Sequence, residues 1–206
     1  GIISLENYKK KIEKITGVKI NIFGFDYGEG LPTSNNKFDL PFFWSEGDYK
    51  IDKEKLKKKI NSKIFFGGID KTFQSFIETN PSTISAIFFD LDYYTSTKSF
   101  LNQIPKNKDF FSPRVYCYFD DVFSTHHHIN EHNGELLAIK EFNNENNEIK
   151  IGKSLADLND FKFPLGNNRF FMLHNFTHRD YLKNLDYKKH KSNLSLDDHK
   201  VNSLLD

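Results

Sequence analysis

The chain has 206 residues and sets 29 basic against 28 acidic side chains, a net charge of +1. That balance excludes a strongly basic nucleic-acid surface as the default, and no apolar run approaches the ~20 residues of a membrane-spanning helix. With 22 Phe, a charged fraction of 28% and a mean hydropathy of -0.61, the composition is that of a soluble domain able to build its own core.

Taken in chain order, apolar runs alternate with helical patterns. Ile3 to Ile15 carries apolar residues at helical spacing and stops at Gly17. Lys19 to Asp26 reads as a strand. Gly28 to Asp48 is rich in Gly, Pro, Asn and Ser and reads as a long loop, a feature that is usually functional in a compact domain. Ile51 to Ile60 is a helix capped by Asp52. Lys63 to Phe66 is a short strand ended by Gly67 and Gly68, and Asp70 to Glu78 is helical. Thr83 to Phe89 is an apolar strand, Thr95 to Gln103 a helix, Arg114 to Phe119 a strand and Gly134 to Phe142 a helix. Glu148 to Ile151 and Arg169 to His174 are strands with no helix between them.

Apolar strands separated by helices predict an α/β fold with a mostly parallel sheet covered on both faces. The last two strands predict an antiparallel pair at one edge. Residues 1–185 form the domain in this reading, and 186–206 a polar Lys- and Asp-rich tail. The chain opens on Gly1, not Met, which reads as processing or a fragment. The single cysteine, Cys117, precludes an internal disulfide and favours a reducing, cytoplasmic location. Its apolar surroundings make it a packing residue.

Ligands bind open α/β sheets outside the carboxyl ends of the strands. Here those ends are acidic: Asp26 closes one strand, Asp90-Leu91-Asp92 follows a second, and Asp120-Asp121 closes a third. Asp70 follows the glycine pair. Carboxylates gathered this way repel one another unless a cation intervenes. For Asp26, Asp90, Asp92, Asp120 and Asp121 the sequence offers no cationic counterpart nearby, so a divalent metal with oxygen ligands is the economical expectation. Asp is also common in turns after strands, which is the plainer reading of each residue taken singly.

Four segments resemble a known family. Gly24 to Pro32 (GFDYGEGLP), Gly67 to Phe76 (GGIDKTFQSF), Phe88 to Leu101 (FFDLDYYTSTKSFL) and Cys117 to Phe123 (CYFDDVF) are similar, in order and spacing, to segments of the macrocin-type sugar O-methyltransferases. The resemblance covers about Gly1 to Phe123. It implies a class I, Rossmann-like methyltransferase sheet and S-adenosylmethionine as cofactor. It also implies that Asp26 takes the cofactor's ribose hydroxyls while Gly68, Ile69 and Asp70 lie beside the adenine. Asp90, Asp120 and Asp121 would hold a divalent metal, Mg by expectation, with Asp90 also the candidate base. The acceptor would be a hydroxyl of a sugar or natural-product type small molecule, and a homo-oligomer is compatible. The family's glycine-rich cofactor turn is not present, and Gly1 is read as its last glycine, with the first strand of the sheet upstream of it. Such a loss predicts a gap in the sheet between the strands ending at Asp26 and Asp90. Tyr93 stands where metal-dependent catechol-type relatives carry a lysine, and Tyr27 where the compared family has Ser.

Rival readings start from the same residues. Phe88 to Asp92 also begins like a haloacid-dehalogenase phosphatase motif, but Tyr93-Tyr94 stands where Gly-Thr is required. Asp90 and Asp92 match the metal site of a DxD glycosyltransferase, and an inactive fragment or binding domain is the non-enzymatic alternative. His126 to His128 with His132 read as a substrate loop, a second metal site or a solvated loop, and Trp44 as a lid or loop anchor. His174, His178 and Arg179 read as packing or surface residues, and Lys57 to Lys59 as a solvated helix face.

Overall fold

The computed structural model describes residues 1–123, 128–154 and 169–183. His126, His127 and the tail from Asp186 lie outside the described residues. Helix α1 (Ile2–Thr16) ends at Gly17, whose left-handed φ of 71° lets its N–H return to the Glu13 carbonyl. Strand β1 (Phe23–Asp26) follows, then the long loop with one 3-10 turn at Lys37–Asp39. The order continues α2 (Lys53–Lys57), β2 (Lys63–Phe66), α3 (Ile69–Ile77), β3 (Ile84–Phe89), α4 (Tyr94–Leu101) and β4 (Phe111–Phe119). It closes with α5 (Gly134–Glu145), β5 (Ile149–Lys153) and β6 (Phe170–Asn175). Asp52 caps α2 by accepting the Lys55 N–H at 2.9 Å.

The strands form two sheets, not one. Strands β1 and β2 pair in parallel, and the other four run in the order β3-β4-β6-β5. β3 and β4 are parallel, whereas β6 is antiparallel to both β4 and β5. The antiparallel pair at the edge is therefore present. No ladder joins β1 to β3, so the sheet breaks where the sequence predicts a gap. The fold is α/β with parallel and antiparallel pairing in roughly equal measure.

Covering is one-sided. Phe73 and Phe76 of α3, Phe100 and Leu101 of α4 and Ala138, Ile139 and Phe142 of α5 pack on Phe89, Val115, Cys117, Phe119, Phe171 and Leu173. Burying these side chains is the main stabilising contribution, about 1.5–3 kcal/mol for each large one. Side chains alternate along strands, so the opposite face carries Phe88, Tyr116 and Phe170, which are 54%, 67% and 40% exposed. The expected cover on both faces is not met among the described residues. Cys117 is buried, with its thiol pushed up to about 12 by that burial. The packing expectation holds for it, and for His174, which bonds Tyr181 Oη at 2.8 Å and stacks on Phe176.

A candidate site on an acidic sheet edge

The carboxyl ends of the strands gather the acidic residues electrostatically. The Asp90 carboxyl is surface-accessible yet raised from the ordinary carboxylate range, first by partial desolvation, then by Asp120, with Asp26 adding to the rise and the Gly1 amino group opposing it. Asp90 thus feels Asp120, Gly1 and Asp26, which come from distant parts of the chain. Asp92 is shifted further, to about 7, by burial and then by Asp121, Asp90 and Asp120. Its backbone is left-handed, with a φ of 57°, unusual for a residue other than glycine. Such strain persists only where the surroundings enforce it, and it clusters at functional sites.

Adjacent residues at a strand end point to opposite sides, and the Asp120-Asp121 pair separates accordingly. Asp120 turns to the side of Tyr118, whose hydroxyl donates to Asp120 Oδ1 at 2.7 Å. On that side Arg169 Nε stands 3.7 Å from the same oxygen. Asp121 turns inward. Its backbone N–H donates to Glu135 Oε2 at 3.1 Å, and its carboxylate accepts the Asp92 N–H. Burial and the carboxylates of Asp120 and Asp90 push Asp121 up to about 6. Glu135 is wholly buried in the first turn of α5. Burial, and then Asp121, hold its carboxyl well above its ordinary range. Asp121 Oδ2 and Glu135 Oε1 are both buried without a hydrogen-bond partner, an exception in folded proteins.

Sequence reasoning missed Glu135 and Arg169. Glu135 falls within the predicted helix Gly134 to Phe142 without being singled out, and Arg169 is the first residue of a predicted strand. The expectation that the carboxylates have no cationic neighbour is corrected by Arg169. The expected metal trio is also not assembled. Among the described residues, no three His, Cys, Asp or Glu side chains are grouped to hold a metal ion. The oxygen chemistry of Asp90, Asp120 and Asp121 suits a hard cation, but Asp120 is engaged by Tyr118 and Arg169. As they stand, these residues do not fit the metal.

The residues expected at a cofactor lie on β1 and α3. Asp26 Oδ1 accepts the Gly28 N–H at 2.5 Å, and among the described residues none donates to its second oxygen. Its carbonyl accepts the Gly67 N–H at 2.9 Å, which ties the ends of β1 and β2 together. Gly28 has a φ of 85°, and a Cβ there would lie 2.4 Å from Lys53 Cε. Glycine is therefore required at that turn. Gly68 caps α3, Ile69 is half-buried, and Asp70 Oδ1 folds back to within 2.8 Å of where a Cβ on Gly68 would be. These oxygen acceptors and the free N–H groups of a helix start suit a polar nucleoside.

The long loop is held over this edge. Asp39 is fully buried and accepts from Thr95 N at 2.8 Å, Thr95 Oγ1 at 2.7 Å and Ser34 Oγ at 2.5 Å. It thereby fastens the loop to the start of α4. Tyr93 Oη donates to the Pro32 carbonyl at 3.0 Å. Trp44 packs edge-on against Phe43 and Tyr49, and Phe42 meets His128 with ring centroids 5.4 Å apart. Tyr49 faces Asp92, Asp121 and Asp90, whose charges, after burial and together with Asp48, raise its hydroxyl. His132 is exposed beside Glu131. A separate polar groove of about 750 Å³, lined by Thr83, Lys108 and Arg179 among others, opens near the amino ends of β3 and β4, away from the acidic edge. No helix among the described residues is long and apolar enough to cross a membrane. No family model, curated protein or solved structure matches the chain.

Proposed function

We propose that the chain is an S-adenosylmethionine-dependent methyltransferase that methylates a hydroxyl of a small molecule, of sugar or natural-product type by family resemblance. The observation that carries the reading is the placement of Asp26, Asp90, Asp92, Asp120 and Asp121 at the carboxyl ends of β1, β3 and β4, where Asp90 feels Asp120 and Asp26, and Asp92 feels Asp121, Asp90 and Asp120. The strand order β3-β4-β6-β5 with one antiparallel strand, and the parallel β1-β2 pair beside it, are compatible with a class I sheet.

The cofactor supplies a methyl group already activated on a sulfonium. The chain's own residues hold and orient. Asp26 offers its second oxygen to vicinal hydroxyls, and Gly68, Ile69 and Asp70 border the base. Asp92 has the proton affinity that suits a proton acceptor, because a carboxyl pushed to about 7 is half-ionised near neutrality. Asp90, the base expected from the resemblance, lies beside it and shares its field. Asp121 holds the strained Asp92 backbone through the N–H it accepts, and Glu135 holds Asp121 in turn. The loop bearing Trp44 and Tyr49 lies beside the cluster, with the Tyr49 hydroxyl in the field of Asp92, Asp121 and Asp90. Alignment of the reacting groups is worth several kcal/mol of the barrier.

Calorimetric titration with S-adenosylhomocysteine in chelator-containing buffer tests the reading. Saturable binding is expected, and Asp26→Ala should weaken it about tenfold, the effect of losing charge-assisted hydrogen bonds of about 1.5 kcal/mol. No binding by the wild-type protein would sink the proposal.

A further inference from the structure

We infer that Arg169 is the resident cation of the carboxylate cluster, occupying by side chain the role expected of a divalent metal ion. The inference rests on reading the acidic edge as the reacting centre. Two contacts place the guanidinium, and a third bond fixes the carboxylate beside it. Its Nη2 donates to the Phe123 carbonyl at 3.0 Å, which fixes it to the chain just after Asp121. Its Nε stands 3.7 Å from Asp120 Oδ1 and is buried without a hydrogen-bond partner. Tyr118 Oη donates to that same Asp120 oxygen at 2.7 Å. A guanidinium stays charged at every accessible pH. It therefore offsets Asp120 permanently, and it also lowers Asp121, against the push from Asp120 and Asp90. A metal seated on Asp120 Oδ1 must displace the Tyr118 hydroxyl, and one seated on either oxygen must work against this positive charge. Arg169 is a positioning residue in this account, since it acts through Asp120.

Titration of chelator-stripped protein with MnCl2 alone, followed by calorimetry, reads the competition directly. Wild-type protein is expected to bind Mn2+ no more tightly than about 1 mM, the weak end of carboxylate sites. Arg169→Met should strengthen binding by about twofold to fivefold, fivefold being the upper worth of releasing one partly exposed ion pair. Arg169→Met combined with Asp120→Asn should lose that gain, and Arg169→Lys should stay close to wild type. Micromolar binding by the wild type overturns the inference, because Arg169 and metal then coexist. A change below about twofold in Arg169→Met also overturns it. Should Arg169→Met fail to fold, the wild-type titration together with Tyr118→Phe, expected to bind more tightly than wild type, decides in its place. The S-adenosylhomocysteine titration is independent of these arms, so loss of the methyltransferase reading and loss of the Arg169 inference are separately visible.

Discussion

Single residues at the acidic edge carry the chemistry through their surroundings. Asp92 and Asp121 hold protons in the folded state up to about pH 7 and about pH 6, whereas the unfolded chain releases them near its ordinary carboxylate value. Their contribution to stability is thus fully present below the unfolded value, and it is lost as pH rises through about 6 to 7. Asp92→Asn removes one of these groups. It should be more stable than wild type at pH 8 by about 1–2 kcal/mol after allowance for solvent screening, and the gap should shrink towards pH 5. Urea denaturation at the two pH values measures this, and a gap that grows on acidification would contradict the assignment. Glu135 invites a second comparison. Glu135→Gln keeps an acceptor for the Asp121 N–H and should stay within about 1 kcal/mol of wild type. Glu135→Ala strands that N–H and opens a cavity, and should cost about 2–4 kcal/mol. Equal losses in the two variants would show that charge, not the hydrogen bond, is what Glu135 contributes. None of this was legible in the sequence. Asp120-Asp121 reads as a pair, but alternation at the strand end sends the two carboxylates to different partners, and those partners are remote in the chain.

At the scale of elements, the sequence signals were strong where a local rule acts. Apolar β-branched and aromatic runs marked every strand found among the described residues. Gly17 and Asp52 marked helix ends, because a left-handed stop and a side-chain cap are encoded within a turn of the chain. Boundaries were less legible. Strand β4 begins at Phe111, not Arg114, because Phe111 is paired with Ile84 and fully buried. Strand β1 begins only at Phe23, where Lys63 supplies a partner. The start of α4 has no side-chain cap of its own and takes one from Asp39 in the long loop. That cap is a tertiary contact and leaves no short-range pattern. Asp39→Ala should cost about 2–4 kcal/mol, since it leaves the Thr95 N–H and two hydroxyls without their acceptor. It should also release the loop. Limited proteolysis should then cut within residues 27–50 faster than in wild type, and unchanged cleavage there would show the loop to be held by its aromatic contacts instead.

Across the whole molecule, the α/β class and the order of elements followed from alternation of strand and helix patterns, and the antiparallel edge from the lack of an obvious helical pattern in the sequence between the last two strands. Among the described residues, the division into two sheets, with Phe88 and Tyr116 exposed on one face, depends on which strand edges meet. Strand runs specify that only through long-range packing. The central proposal is that S-adenosylmethionine binds at the carboxyl ends of β1, β3 and β4 and the start of α3. Hydrogen exchange of the protein with and without S-adenosylhomocysteine tests that claim most directly. The account predicts added protection confined to the turns after Asp26, at Gly67 to Thr72, at Asp90 to Tyr94 and at Asp120 to Asp121. Protection that falls instead on the polar groove at the amino ends of β3 and β4, or no protection at saturating ligand, would contradict it.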